Sequence, residues 1–425
     1  MFKIRGEEIT IELAKHFIEK FKSSKLDRLN KLERYFNNDN DINRRKLLDE
    51  TKPNIKIAHS FAEYIVKTNV SMLLGSPITY TSIDNLDEFN KVLEKADEQD
   101  VNIDLANNCS IFGYAIQLVY LNENTELKFF TMNNKQVVLL YNNSIEEELV
   151  CAIRFWEEKL IDDKKIEVVE IYTKNETMYY EDGQLKHREN NMFSDIPIIV
   201  YKNNSYLKGD YENIIPLIDE YDIMCSDTAN ENAYFSNAYL FLNTNDFEIE
   251  NAKVMKETGI IWGEGLDPRY VTKDRNGSVS DIETNKNRVV KDIHKLSFTP
   301  DLSDENFANN VSGVAMEYKL KGTIDNIKTK ERKFKSALNK RNTLIFNIMN
   351  LLALKPPSYV DIIFTTSLPK SNLETVQMIN QLRGIASQET LLSQLTFIQD
   401  PKLEFEKIKN EEENRLPKVK DTYED

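Results

Sequence analysis

Histidine, cysteine and carboxylate are the side chains most often placed for catalysis or metal binding, and this chain spaces them poorly for either. Its histidines, His16, His59, His187 and His294, stand far apart, and no H-E-x-x-H or Cys/His pair has zinc-ligand spacing. Cys109, Cys151 and Cys225 are odd in number and distant from one another, which argues against a disulfide framework and for a reducing compartment. Carboxylates are too abundant for a pair of them to be diagnostic. Asp162-Asp163 falls between two expected strands and reads as a turn; Asp84, Asp87 and Glu88 read as a helix start, where acids complement the dipole. There is no G-x-x-x-x-G-K-[ST] loop to cradle phosphate, no G-x-G-x-x-G follows a strand, and Gly263-Glu-Gly265 is too short a match. No cofactor, metal or catalytic residue is expected. A carboxylate site assembled only in the fold, such as that of a metal-dependent nuclease, stays open as the enzymatic alternative.

One charge feature stands out. Lys319–Arg341 holds nine basic residues, among them Lys328, Lys330, Arg332, Lys333 and Lys335, against Asp325 and Glu331, a net +7 in a chain of −15. On a helix such a run is either a solvated face around an apolar stripe or a face for an anionic partner, DNA or an acidic neighbouring subunit.

The rest of the composition sets the frame. The chain has 425 residues, enough for two or three domains, and 40% apolar with 29% charged residues makes it globular. Lys and Arg total 55 against 70 Asp and Glu, an acidic balance unsuited to gripping nucleic acid by bulk charge. Only 12 Gly and 11 Pro are present, too few for glycine-rich phosphate loops or long flexible linkers. MFKIRGEEIT has no signal pattern, and no run reaches the ~20 apolar residues of a membrane span. A soluble protein made inside a cell, with no membrane partner, is expected.

The elements that would position these residues follow from periodicity. Ile9, Leu13, Phe17 and Phe21, then Leu26, Leu29, Leu32 and Phe36, each form one apolar helical stripe. A third helix is expected over Ile55–Leu74, a fourth over Asp87–Asp97 and a fifth over Asp104–Phe112. From Tyr114 the period changes to two. Tyr114–Leu121, Glu126–Met132, Gln136–Tyr141, Leu149–Trp156, Lys165–Tyr172 and Thr177–Tyr180 predict an antiparallel meander, with turns at Asn142-Asn143 and Asp182-Gly183. The meander closes with Ile196–Tyr201, at an edge because of Pro197. Helix returns at Tyr211–Tyr239, and glycines cluster in a small β-rich insertion over Asn243–Ser278. Helix Asp281–Leu296, polar loop Phe298–Asn310 and a very long helix Ser312–Leu354 follow; the long helix carries the stripe Ile327, Phe334, Leu338, Ile345, Ile348 and Leu352. Tyr359–Thr365 reads as a strand and Leu373–Arg415 as helix.

Three stretches together resemble a known family. The first is Lys52-Pro-Asn-Ile-Lys-Ile-Ala-His-Ser-Phe-Ala-Glu-Tyr-Ile-Val-Lys, followed by Leu74-Gly-Ser-Pro-Ile-Thr-Tyr80. The second is Ile196-Pro-Ile-Ile-Val-Tyr-Lys-Asn-Asn204, then Leu217-Ile-Asp-Glu-Tyr-Asp222 and Ser226-Asp-Thr-Ala-Asn230. The third is Ser312-Gly-Val-Ala-Met-Glu-Tyr-Lys-Leu320, with Gly384-Ile-Ala-Ser-Gln-Glu-Thr390 and Asp400-Pro401 beyond it. In this order they are similar to the portal proteins of long-tailed bacteriophages of Gram-positive bacteria, over about Lys52 to Glu413.

The resemblance implies a structural α+β protein rather than an enzyme. It implies a twelve-fold ring at one capsid vertex of the virion, assembled in the host cytoplasm among capsid and scaffolding proteins. Double-stranded DNA would pass through the ring non-specifically. The terminase large subunit would dock on it, and later a head–tail connector (adaptor) protein. It divides the chain into wing (1–210), stem helix (211–242), clip (243–278), stem helix (279–297), tunnel loop (298–311), long wing helix and return strand (312–370), crown (371–413) and a flexible tail (414–425), with no further domain. The tunnel loop would hold Pro300, Asp301, Asp304, Glu305, Asn306 and Asn309. Trp262 and Arg269 would serve the clip interface, Trp262 being equally readable as a local core residue. A monomeric adaptor domain is the remaining alternative.

Overall fold

A computed structural model of the chain describes residues 2–48, 53–159, 163–235, 239–241, 269–271, 278–302, 313–365, 372–392, 395, 398 and 401–415. It is α+β and divides into two compact units, Met1–Asp301 with Asp325–Thr366, and Leu302–Ile324 with Ser367–Asp425.

In the first unit, strand β1 (Phe2–Ile4) precedes α1 (Ile11–Ser24), whose first turn is capped by Thr10: its Oγ1 accepts from the Leu13 N–H at 3.3 Å. The stripe of α1 buries Ala14, Phe17, Ile18 and Phe21. Helix α2 (Leu26–Phe36) buries Leu29, Leu32 and Tyr35. Tyr35 rather than Phe36 faces inward, because its hydroxyl donates to Asp219 there. The helix expected from Ile55 begins only at Phe61, as α3 (Phe61–Leu74), and residues 53–60 belong to neither helix nor strand. Strand β2 (Thr79–Thr81), α4 (Asp87–Lys95) and α5 (Glu98–Phe112) follow. Helix α5 starts six residues earlier than expected, since Asp97 at φ 51 turns the chain straight out of α4. It ends at Gly113, φ 89, where a Cβ would lie 2.1 Å from the Leu207 carbonyl oxygen, so only glycine fits.

The β block forms β3 (Tyr114–Leu121), β4 (Leu127–Met132), β5 (Val137–Asn142), β6 (Leu149–Lys159), β7 (Lys165–Thr173), β8 (Glu176–Glu181), β9 (Gln184–Asn190) and β10 (Ile198–Lys202). Asp182 and Gly183, at φ 46 and 80, give the two positive-φ positions of the β8–β9 turn. The expectation of a single meander is corrected by the pairing. One sheet runs β1-β5-β6-β7-β8-β9 with β1 parallel to β5, and the other runs β10-β3-β4. Alternation shows which face of a strand is buried, not which sheet it joins. Both sheets feed one core, including Ile116, Met132, Val137, Leu139, Ala152, Tyr172 and Ile198. β10 is an edge strand, beside Pro197.

Helix α6 (Ile215–Phe235) stops before the expected Tyr239. Tyr239 instead opens β11 (Tyr239–Phe241), antiparallel to β12 (Arg269–Val271). The remainder of the expected β insertion, with Trp262, lies outside the described residues. Helix α7 (Ser278–Leu296) packs along α6. The long helix α8 (Gly313–Leu351) ends ahead of Pro356-Pro357: Ala353 turns left-handed at φ 56, and the Leu354 N–H closes on the Met349 carbonyl at 2.8 Å. Strand β13 (Asp361–Ile363) pairs antiparallel with β2.

In the second unit, where one helical region is expected, three helices form: α9 (Asn372–Leu382), α10 (Gln388–Leu392) and α11 (Pro401–Arg415). Gly384 at φ 88 breaks the first from the second, and the Thr390 N–H donates to Ser387 Oγ at 3.2 Å to start the next turn. Among the described residues no helix is long and apolar enough to cross a membrane.

Candidate functional site

Two of the stretches that carry the resemblance meet in space. Asp222, Ser226 and Asn230 recur every four residues, so they line one face of α6 about 6 Å apart. Alternate N–H groups of an extended chain repeat at about 6.6 Å. The two spacings match, and residues 55–59 lie against α6 as a strap. Asp222 Oδ1 accepts from the His59 N–H at 3.0 Å, Ser226 Oγ from the Ile57 N–H at 3.0 Å, and Asn230 Oδ1 from the Ile55 N–H at 2.6 Å. These bonds replace helical ones, which is why α3 begins late. Asp222 is fully buried; the His59 ring Nδ1 lies 2.7 Å from the same oxygen, and Asn40 Nδ2 donates to its other oxygen at 2.6 Å. Arg45 adds an ion pair to Asp227 at 2.6 Å. In the sequence these residues stand only as a motif; the four-residue repeat of Asp222, Ser226 and Asn230 is the signal for the ladder.

Ser226→Ala leaves the Ile57 N–H without its partner, a loss of about 1–3 kcal/mol. Hydrogen exchange at the Ile57 amide is expected to speed up by about tenfold or more. Exchange as slow as in the unmodified chain would show that the strap is held some other way.

The strap leads into an aromatic cluster over the α6–α7 pair. His59 and Phe61 pack edge-on against Tyr221, with centroids 4.6 and 5.3 Å away, and Phe61 and Tyr64 pack against His294 of α7. Burial pushes the Tyr221 hydroxyl up to about 12. At the end of α7, Phe298 turns left-handed at φ 54, and the Thr299 N–H closes on the His294 carbonyl at 3.1 Å. Tyr64 Oη donates to the Pro300 carbonyl at 2.8 Å, and Asp301 lies 3.9 Å from His294 Nε2. Pro300 is therefore anchored to α3 through Tyr64, and Asp301 to α7 through His294. Asp304, Glu305, Asn306 and Asn309 lie outside the described residues, and Arg269 stands on β12 opposite Phe241.

The basic run on α8 divides in two. Lys328, Arg332 and Lys340 are exposed, and Lys333 is half-buried. Lys335 pairs with Asp361 at 2.7 Å. Lys330 and Arg341 point inward, so the expectation of a solvated face fails for both. Buried Lys330 pairs with Asp210, which also accepts from Asn69 at 3.0 Å and from Ser110 and Asn203 at 2.7 Å. Arg341, with no exposed surface, pairs with Glu98, donates to Asn102 and to the Tyr80 hydroxyl at 2.8 Å, and stacks 4.9 Å over Phe129. Burial alone would lower the Arg341 pKa, but the facing Tyr201, Tyr80 and Glu98 outweigh it and raise it, so the guanidinium stays charged. Each buried charge is paired, as its desolvation requires. Together they fix the long helix against α5 at two points three turns apart.

These residues thus build scaffold: a strap, a helix pair and locks on a long helix. Fold and site define an α+β scaffold protein. The family model described as phage portal protein, SPP1 Gp6-like, matches residues 15–418. The portal protein of Bacillus phage SPP1 is 25% identical over 423 residues, covering 89% of this chain and 82% of its own. That of Clostridium phage phiCD119 is 23% identical over 438 residues, covering 92% of this chain and 93% of its own. The chain belongs to the phage portal protein family. It is accordingly a structural virion protein of the capsid and of genome packaging, not an enzyme.

Proposed function

We propose that twelve copies of the chain form a ring at one capsid vertex, and that double-stranded DNA enters and leaves through its channel. The single observation that carries this reading is the family match over residues 15–418. In the proposal α6 and α7 are the stem, 298–311 the tunnel loop, α8 the long wing helix and α9–α11 the crown. Residues 243–278, with Trp262 and Arg269, are the clip that meets adjacent subunits. The ring docks the terminase large subunit during packaging and then the head–tail connector protein, and it is assembled with capsid and scaffolding proteins in the host cytoplasm.

Charge supports the reading. Duplex DNA carries about one charge per 1.7 Å. A ring of subunits each at −15 presents DNA with a mostly repulsive surround, so that it slides instead of sticking. Negative-stain images of the purified chain are expected to show annular particles with a central channel. Compact particles without a channel would contradict the proposal.

A further inference from the structure

One cavity of the first unit takes no part in the site described above. It measures about 300 Å³ and opens between α1, α2, β5 and the loop 204–208. Its inner wall is core: Phe21, Leu29, Val137 and Leu139 line it, each at most 8% exposed. Interiors close such spaces to about the size of a water, so core side chains left facing an open cavity mark a place that something else fills. The volume is at the small end of ligand pockets, room for a bulky side chain rather than for a whole cofactor.

The same wall holds a guanidinium that is fixed on one edge only. Arg28 lines the cavity; its Nε and Nη2 donate to the two Glu212 oxygens at 2.7 and 2.6 Å, and Nη2 also reaches the Leu207 carbonyl at 2.9 Å. Its Nη1 donates to nothing among the described residues, so two N–H donors of a clamped fork are left for an acceptor. Lys25 and Lys208 complete the lining and have no ion-pair partner among the described residues. Glu212, the one acid of the lining, is committed to Arg28, which leaves the cavity at net +2 in a chain of −15. The rim is also set in advance. Asn204 Oδ1 accepts from the Tyr206 and Lys208 N–H groups at 3.0 and 3.1 Å, and the Asn203 and Asn204 side-chain amides donate to the Lys208 carbonyl at 2.9 and 2.7 Å. This loop holds Tyr206 at the cavity edge, 85% exposed. An exposed aromatic on an ordered loop beside a pocket is what binding hot spots are made of.

We infer that this cavity is a docking pocket for an acidic peptide segment of a partner protein. One aromatic side chain of the segment enters the core-lined space, and its flanking carboxylates meet Arg28 Nη1, Lys25 and Lys208. Charge selects the occupant, because a neutral or basic segment would leave the cations of the lining unanswered. The rings of Phe21, Tyr114 and Tyr206 select the anchor, since aromatic side chains pack edge-on against one another. The inference goes beyond the ring reading and does not need it, for every residue of the pocket belongs to one copy.

The test is fluorescence anisotropy of a fluorescein-labelled peptide, DEFDE, titrated with the full chain. Saturable binding is expected. The peptides DEADE and KKFKK are each expected to bind at least tenfold more weakly. The second comparison is stringent, because the chain's −15 attracts a basic peptide everywhere except at such a pocket. In the chain, K25E/K208E changes two exposed side chains and is expected to weaken DEFDE at least tenfold with an unchanged circular dichroism spectrum. L139W fills the cavity and is expected to weaken it as much. Should L139W fail to fold, the DEADE peptide and K25E/K208E still decide the matter. No saturable binding of DEFDE, equal binding of DEADE, or binding unchanged in K25E/K208E would overturn the inference. A K25E/K208E chain whose native assembly loses mass, while DEFDE does not bind the unmodified chain, would overturn it in favour of a second copy as the occupant.

Discussion

Arg341→Met is expected to destabilise the first unit by about 3–5 kcal/mol, because it leaves Glu98 charged and buried with its strongest donor gone. Met matches the length of the Arg stem, so the loss comes from the stranded carboxylate and not from a cavity. The double variant Glu98→Met with Arg341→Met is expected to regain most of the loss, since a well-packed apolar pair can replace a buried ion pair. Lys328→Met, at an exposed position of the same helix, should change stability by no more than about 0.5 kcal/mol. Urea unfolding measures all three. An Arg341→Met chain within about 1 kcal/mol of the unmodified one would mean that Glu98 is not confined as described.

Removing residues 301–306 is expected to have the largest effect on function while sparing assembly. The segment follows Pro300, whose carbonyl is held by Tyr64, so the deletion keeps that anchor and gives up only the contact of Asp301 with His294. It carries Asp301, Asp304 and Glu305, and in a ring these carboxylates would repeat around the DNA. Acids repel phosphate and make no base readout, so the loop would guide DNA without holding it tightly. Rings should form in normal yield, while heads filled with DNA fall by about tenfold or more. Deletion particles that package and retain full-length DNA normally would remove the loop from the channel and put the assignment of α6 and α7 as the stem in doubt.

What could be read from the residues divides along physical lines. Stripes that bury one face, as in α1 and α2, and strands with a buried core face, as in β3 to β8, announce themselves by period. β9 does not, because every one of its residues is exposed. β1 does not, because a three-residue parallel strand exists only through pairing with β5. The strap did not, because helix and strap place the same residues; what decides is the ladder on α6, over 160 residues away in the chain. The basic run hid two different roles. Its apolar stripe, Ile327, Phe334, Leu338, Ile345 and Ile348, skips the steps occupied by Lys330 and Arg341, and those are the two that point inward. A cation at the spacing of the buried stripe is the mark of a buried pair, and net charge alone erased it. Leu352, assigned to that stripe, is 40% exposed because the helix closes at Ala353.

The central claim is a ring, and the mass of the native assembly tests it most directly. Native mass spectrometry or light scattering of the purified chain at micromolar concentration should give one closed species near twelve copies of the 49.6 kDa subunit, about 595 kDa. Thirteen copies would still fit, because ring closure tolerates a small change of angle at each contact. A stable 49.6 kDa monomer under the same conditions would contradict the account.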